Sequence, residues 1–330
     1  MKRMALLLTA VLHGAIALSP QAVAAPPPGK TARIGYLVLS PLLETPSPER
    51  VGFLRGMREL GYVEGKNLTI EYRSADGATD MLPFLADELV ELGVDVIVAP
   101  AGPPLLAAKE ATSKIPVVMM FSADPVSAGL VQSLARPGGN VTGMSMQNVE
   151  LAAKRLELLK EAVPRISRVA VIWDSSNVLV HREWEMTQRI ARGLGITLES
   201  VDVGGEPDLS RAFERIKAKR PDALIAIIDL RIARYREIIP DFALAERIPL
   251  MAGLTAFTQA GGLMSYAPDF SELSRRSAGF VDKLLNGADP ATLPVQQPTT
   301  FDLVINMKTA QSLGLRIPDS ILLRADQVIK

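Results

Sequence analysis

Three aspartates, Asp124, Asp174 and Asp229, each follow a β-rich run, and so do the hydroxyls Ser40, Ser122, Ser176 and Thr255 and the amide Asn177. In an open parallel α/β sheet, ligands bind beyond the carboxyl ends of the strands. Helices begin at the same places, and their free N–H groups suit an anionic group such as a carboxylate. The aspartates suit an ammonium. Together they would hold a small zwitterion. Each of these residue types is also an ordinary helix N-cap, so any one taken singly has a structural reading as well. With aromatics only 5% of the chain, Phe257 and Tyr266 stand out as stacking groups or as core residues.

Other chemistries lack their residues. Cysteine is absent, which removes disulfides, thiolate metal sites and thiol nucleophiles. The two histidines are His13 and His181, and no G-x-S-x-G or H-E-x-x-H surrounds either. A triad or zinc site would have to be built on His181 alone, whose simpler place is a helix surface. No phosphate-binding glycine motif occurs, and Pro103 and Pro104 remove amide donors where a cradle would need them. No metal, no cofactor and no catalysis are expected. The 36 basic and 36 acidic residues leave no electrostatic footprint for nucleic acid or anionic lipid.

The elements that must position these residues alternate in β-α order, the pattern of a parallel α/β sheet. Strands are expected at 33–39, 67–73, 94–98, 116–121 and 140–146, and again at 168–173, 196–203, 222–228 and 249–251. Ser47-Pro48 supplies an N-cap and a first-turn proline, and Leu60-Gly61 a stop. Leu82, Leu85, Leu89 and Leu92 form an apolar stripe. The two halves repeat one order, predicting two doubly wound parallel-sheet lobes. The C-terminal part breaks that division. A strand at 261–268 leads to a capping box, Asp269 with Glu272, opening a helix to about Asn286. A strand at 301–306, a helix at 307–313 and a closing helix near 319–328 follow. A chain that leaves one lobe, serves the other and returns implies a hinge with a cleft between lobes.

Lys2 and Arg3, an apolar stretch at 5–18 and Ala22-Val23-Ala24 before Ala25 have the layout of a cleaved secretory signal peptide. The expected location is therefore the periplasm, as a soluble protein. Loss of residues 1–25 would leave 34 basic residues against 36 acidic.

Dispersed motifs then carry a resemblance. They are Arg58-Glu59-Leu60-Gly61-Tyr62-Val63-Glu64-Gly65-Lys66-Asn67, Ala123-Asp124-Pro125-Val126-Ser127-Ala128-Gly129, Leu134-Ala135-Arg136-Pro137-Gly138-Gly139-Asn140 and Arg155-Leu156-Glu157-Leu158-Leu159-Lys160. With Gly261-Gly262-Leu263-Met264-Ser265-Tyr266 and Leu303-Val304-Ile305-Asn306, they make the chain similar to the ABC-transporter substrate-binding proteins that include tryptophan and tyrosine binders. The resemblance implies a type I periplasmic-binding-protein fold with three crossings, near 141–144, 263–267 and 298–302. The implied lobes are 32–143 plus 266–298, and 144–265 plus 299–330. The family's pocket loops map onto Ser40-Pro41, Ala101-Gly102-Pro103, Ser122 through Pro125, and Ser176-Asn177. Relatives commonly carry Gly-Thr-Pro where this chain has Ala101-Gly102-Pro103, so one hydroxyl is lost here. The loop bearing Arg231, Arg234 and Arg236 is more basic than usual and would admit an acidic ligand or form a solvated helix face. The implied function is capture of a small amino-acid-like solute by a monomer that serves an ABC permease and ATPase. A sensor feeding a membrane receptor, or an exported enzyme using the three aspartates, are the alternatives.

Overall fold

The computed structural model describes residues 31–100, 102–203 and 206–330; the expected leader and Ala101 lie outside them. The first sheet has five strands: β1 (Ala32–Val38), β2 (Leu68–Ser74), β3 (Val96–Ala99), β4 (Val117–Ser122) and β5 (Val141–Ser145). All pair in parallel, in the order β2-β1-β3-β4-β5. Helices α1 (Pro48–Glu59), α2 (Leu82–Glu91) and α3 (Pro103–Ala111) connect them. Ser47 caps α1 by accepting the Arg50 N–H at 3.3 Å. Strands covered on both faces read as unbroken apolar runs, and every residue of β3 and β4 is buried.

Beyond β5 the chain enters α4 (Asn148–Ala162) and a second sheet. Its strands are β6 (Arg168–Trp173), β7 (Thr197–Asp202), β8 (Ala223–Ala226), β9 (Leu250–Ala252) and β10 (Met264–Ala267). Helices α5 (His181–Gly193), α6 (Glu206–Lys219), α7 (Ile238–Ala245) and α8 (Thr255–Gln259) link them. Read from β7, the order β7-β6-β8-β9 repeats the order β2-β1-β3-β4 of the first sheet. The internal repetition in the sequence is thus a repetition of topology.

After β10 the chain returns to the first body as α9 (Phe270–Leu285), capped by Asp269, whose Oδ1 accepts the N–H groups of Ser271 and Glu272. It lies against α1 so closely that a Cβ on Gly52 or Gly56 would run into the carbonyl oxygens of Ser271 or Arg275. Leu273, Ala278, Phe280 and Val281 of α9 join Ile34, Phe53 and Val98 in one core. Arg275 ion-pairs with Glu59 at 2.6 Å and Glu272 at 2.7 Å over the seam. The chain then passes Gln296, which bonds the β5 backbone (Ser145 N–H to Gln296 O, 2.8 Å; Gln296 N–H to Gly143 O, 2.9 Å). It re-enters the second sheet as β11 (Asp302–Asn306), antiparallel to β10, followed by α10 (Met307–Leu313), α11 (Asp319–Leu322) and β12 (Gln327–Ile329).

Two details differ from the sequence expectation. The closing helix stops at Leu322, and Val328 and Ile329 pair as a strand with Ile305 and Asn306. Their β-branched side chains favour that state, and Asp326 fixes the register by accepting the Leu303 N–H at 2.8 Å. The strand expected from Gly261 begins only at Met264, because Gly261 and Gly262 turn the chain after α8, with their N–H groups bonded back to the Thr258 and Phe257 carbonyls.

Because the α1–α9 seam has no room for a methyl group, Gly56→Ala should cost about 1–3 kcal/mol of stability despite its better helix propensity. A denaturant titration with an unchanged m-value checks this; a stabilised variant would contradict the close approach.

Candidate functional site

The point where strand order reverses lies between β1 and β3 in one sheet and between β6 and β8 in the other. Loops leaving those strands bring together most of the expected polar set. On the second-lobe side, Asp174 follows β6 and is buried; its Oδ1 accepts the N–H and hydroxyl of Ser176 at 3.0 and 2.6 Å. Its Oδ2 lies 3.1 Å from Arg231 Nε. Asn177 accepts the Leu179 N–H at 3.1 Å and donates to Asp229 Oδ2 at 3.0 Å. Asp229, beyond β8, accepts the N–H groups of Arg231 and Ile232 at 2.9 and 2.7 Å through Oδ1.

The three aspartates differ in their counter-ions. Asp124 has Arg182 at 3.5 Å and Asp174 has Arg231. Among the described residues, no lysine or arginine pairs with Asp229. Burial raises the Asp229 carboxyl above the usual aspartate range, and the charge of Asp174 adds to this, while the hydrogen bonds from Ile232, Asn177 and Arg231 oppose it. A carboxylate offers about four acceptor positions, and three are taken. What remains is a largely buried negative charge with room for one more donor, the complement of an ammonium.

On the first-lobe side Ser40 and Pro41 are exposed at the end of β1, where the Ser40 carbonyl accepts the Ser74 hydroxyl at 2.9 Å. Gly102 has φ +61° and starts α3, with Pro103 in its first turn. Ser122 ends β4 fully buried, and its hydroxyl has no hydrogen-bond partner. Asp124 caps the following turn by accepting the Ser127 N–H at 3.0 Å, and the buried Pro125 gives its carbonyl to the Leu130 and Val131 amides.

The two walls touch. Arg182 reaches across to the Ser127 hydroxyl at 2.9 Å as well as to Asp124. Leu179 is buried in the first-lobe core, Leu230 packs against that core, and a Cβ on Gly102 would lie 3.7 Å from the Leu230 side chain. Arg234 lies over Gly77. His181 holds the Asp174–Asn177 turn from behind, with Nε2 2.7 Å from the Ser175 carbonyl oxygen and its ring edge-on to Trp173. Trp173 in turn stacks on Trp184 with ring centroids 5.1 Å apart.

Three expected residues fall elsewhere. Phe257 is fully buried in the core behind the second sheet, packed by α8 rather than facing the opposite lobe. Thr255 opens α8 and makes no hydrogen bond to the polar cluster. The ring of Tyr266 packs on the second-lobe core beside Phe301. Arg182, Leu179 and Leu230, not singled out from sequence, make contacts between lobes alongside Arg234 of the basic loop. Only Leu230 carried a signal, as the first residue of the basic loop. Among the described residues, no three His, Asp or Glu side chains converge as a metal site.

Two sheets that share one parallel strand order, apposed at their strand carboxyl ends over a polar cluster, define a two-lobed solute receptor of the periplasmic-binding-protein type. The chain belongs to the ABC transporter substrate binding protein family, whose model matches residues 41–329, and so binds a solute for such a transporter. It is 27% identical over 280 residues to a tyrosine-binding protein of Clostridioides difficile, spanning 84% of this chain and 80% of that one. Its fold matches that of an ABC domain in complex with L-Trp from Streptococcus pneumonia, with a TM-score of 0.84 and 30% identity over 91% of this chain and 100% of the other. A ligand-free, open substrate-binding protein with adhesive properties from Clostridium difficile matches with a TM-score of 0.67 and 25% identity, over 91% of this chain and 99% of that one.

The Arg182 contacts are solvent-exposed, so they contribute about 0–1 kcal/mol. Arg182→Ala should leave thermal stability unchanged and raise the open population of the ligand-free protein by no more than about fivefold. Small-angle X-ray scattering reads the change as a modest increase in radius of gyration.

Proposed function

We propose that the protein captures a zwitterionic amino acid of the aromatic class between its lobes and hands it, as a monomer outside the cytoplasm, to an ABC permease and ATPase. The observation that carries this reading is Asp229, a largely buried carboxylate without a cation of its own, where the second sheet reverses. The ligand's ammonium is the missing counter-ion. The relatives' ligands, tyrosine in one and tryptophan in another, support the aromatic class. Lobes near 32–143 plus 266–298 and 144–265 plus 299–330 move about three crossings. The cross-wall contacts, and the greater likeness to the L-Trp complex than to the open structure, support a closed form.

Catalysis is not part of this reading. Asp124 and Asp174 are each neutralised by an arginine, so no pair of carboxylates is left to divide acid and base roles.

Isothermal titration with L-tryptophan and L-tyrosine tests the assignment. Asp229→Asn should weaken binding on the order of 10²-fold at neutral pH, the worth of a hydrogen bond to a charged partner. The sign of the pH effect follows from the raised pKa. Asp229 takes up its proton at a higher pH than an ordinary aspartate, and the protonated form cannot pair with an ammonium. Affinity should therefore fall on acidification before the usual aspartate value of about 3.9 is reached. In Asp229→Asn that decline should vanish. Equal affinity of the two proteins would sink the role of Asp229.

A further inference from the structure

The Arg155-to-Lys160 motif has no part in the site above, yet Arg155 is among the largest fully buried side chains. Its guanidinium makes three bonds: Nη1 to Glu183 Oε1 at 2.6 Å, Nη2 to Asn148 Oδ1 at 3.3 Å, and Nε to the Tyr266 carbonyl at 2.8 Å. Gly253, just past β9, leaves the space for it, since a Cβ there would lie 2.9 Å from the guanidinium carbon.

The partners are placed at transitions of the chain. Asn148 is the first residue of α4, three beyond the end of β5 and next to Gln147, which has φ +58°. Tyr266 is in β10, where the chain is about to leave the second sheet for α9. Glu183 follows Arg182, the residue that reaches Asp124 and Ser127 on the other wall. One planar group therefore ties the departure points of two crossings to the base of a contact between lobes.

As a source of stability this arrangement is poor. Both side chains are 2% exposed, and Glu183 Oε2 has no hydrogen-bond partner. Burial pushes the Glu183 carboxyl up to about 7 and the Arg155 guanidinium down, while each charge pulls the other back. Packed apolar side chains would serve a core as well or better. What a guanidinium adds is direction: donors in a fixed fork, which an ammonium lacks.

We propose that Arg155, with Glu183, is a positioning pair that fixes the angle at which two crossings leave the second lobe relative to the α5 arm, and so sets the closed geometry of the cleft. This rests on the closure reading given above.

The test uses the full chain in three variants, Arg155→Lys, Glu183→Gln and Gly253→Ala. The first removes the fork, the second the charge, and the third crowds the guanidinium while keeping both. Because the chain has no cysteine, Lys114→Cys and Lys219→Cys place one spin label on an exposed site of each lobe. In variants that fold by circular dichroism, the ligand-free interlobe distance distribution should shift or broaden. L-tryptophan affinity should fall about tenfold, equivalent to ~1.4 kcal/mol. Distributions that superpose on the parent would overturn the proposal, even with a lowered melting temperature, because the pair would then be structural only. Failure of all three variants to fold would do the same. A parent that binds neither tryptophan nor tyrosine defeats the ligand assignment, whereas the distance measurement still decides the role of Arg155.

Discussion

The architecture turns on the docking of α9 against α1. The first sheet has one face left for a helix that its own β-α sequence does not supply. The apolar side of α9 fills it, entering the core of Ile34 and Phe53 where Gly52 and Gly56 let the backbones meet. That burial draws the chain out of the second sheet after β10. The second sheet still needs its remaining strands, so the chain must go back, and it does so beside β5 through Gln296. β11 consequently arrives from the opposite direction and pairs antiparallel to β10 in an otherwise parallel sheet. Multiple connections between the lobes thus follow from one helix finding its apolar partner in the other half.

The same topology decides where charge can sit. Each doubly wound sheet parts its loops where strand order reverses, and the two reversal points face each other. Asp124, Asp174 and Asp229 occupy equivalent stations at strand ends, but their surroundings give them different work. An exposed arginine from the far wall meets Asp124, and a neighbouring arginine covers Asp174. Backbone amides and Asn177 hold Asp229 in place without neutralising it. Fixed amide dipoles orient a carboxylate, yet a full counter-charge must come from elsewhere. Under the proposed function it comes with the ligand.

Much of this was legible in the sequence, because local signals coincide with tertiary ones. Unbroken apolar runs gave the buried strands, Ser47-Pro48 and Asp269 marked helix starts that the backbone uses, and the repeated order marked two lobes. The polar residues after β6 and β8 were readable because strand ends are predictable from periodicity. Illegible were properties that depend on distant partners. Nothing local distinguishes Asp229 from Asp174, since the difference is the position of the Arg231 side chain. Phe257 looked available as an aromatic near a strand end, but helical phase turns it into the core. Arg155 entered the sequence reading only as part of a motif; that it is fully buried depends on Gly253, ninety-eight positions away in the chain.

The contacts between lobes also bear on how such a receptor would cycle. Most polar bonds across the walls involve exposed groups such as Arg182, screened by solvent and of little worth each. Leu179 and Leu230 add apolar contact without direction. Under the proposed function, a closed state held by such contacts lies close in free energy to the open one. A ligand therefore needs only a modest preference for the closed form to shift the population. An ammonium that relieves the unneutralised charge of Asp229 supplies that preference most fully when water is excluded, because the same ion pair is stronger in the less polar, enclosed cleft. Strong interlobe bonds would remove the response, since a receptor already shut gains nothing from its solute.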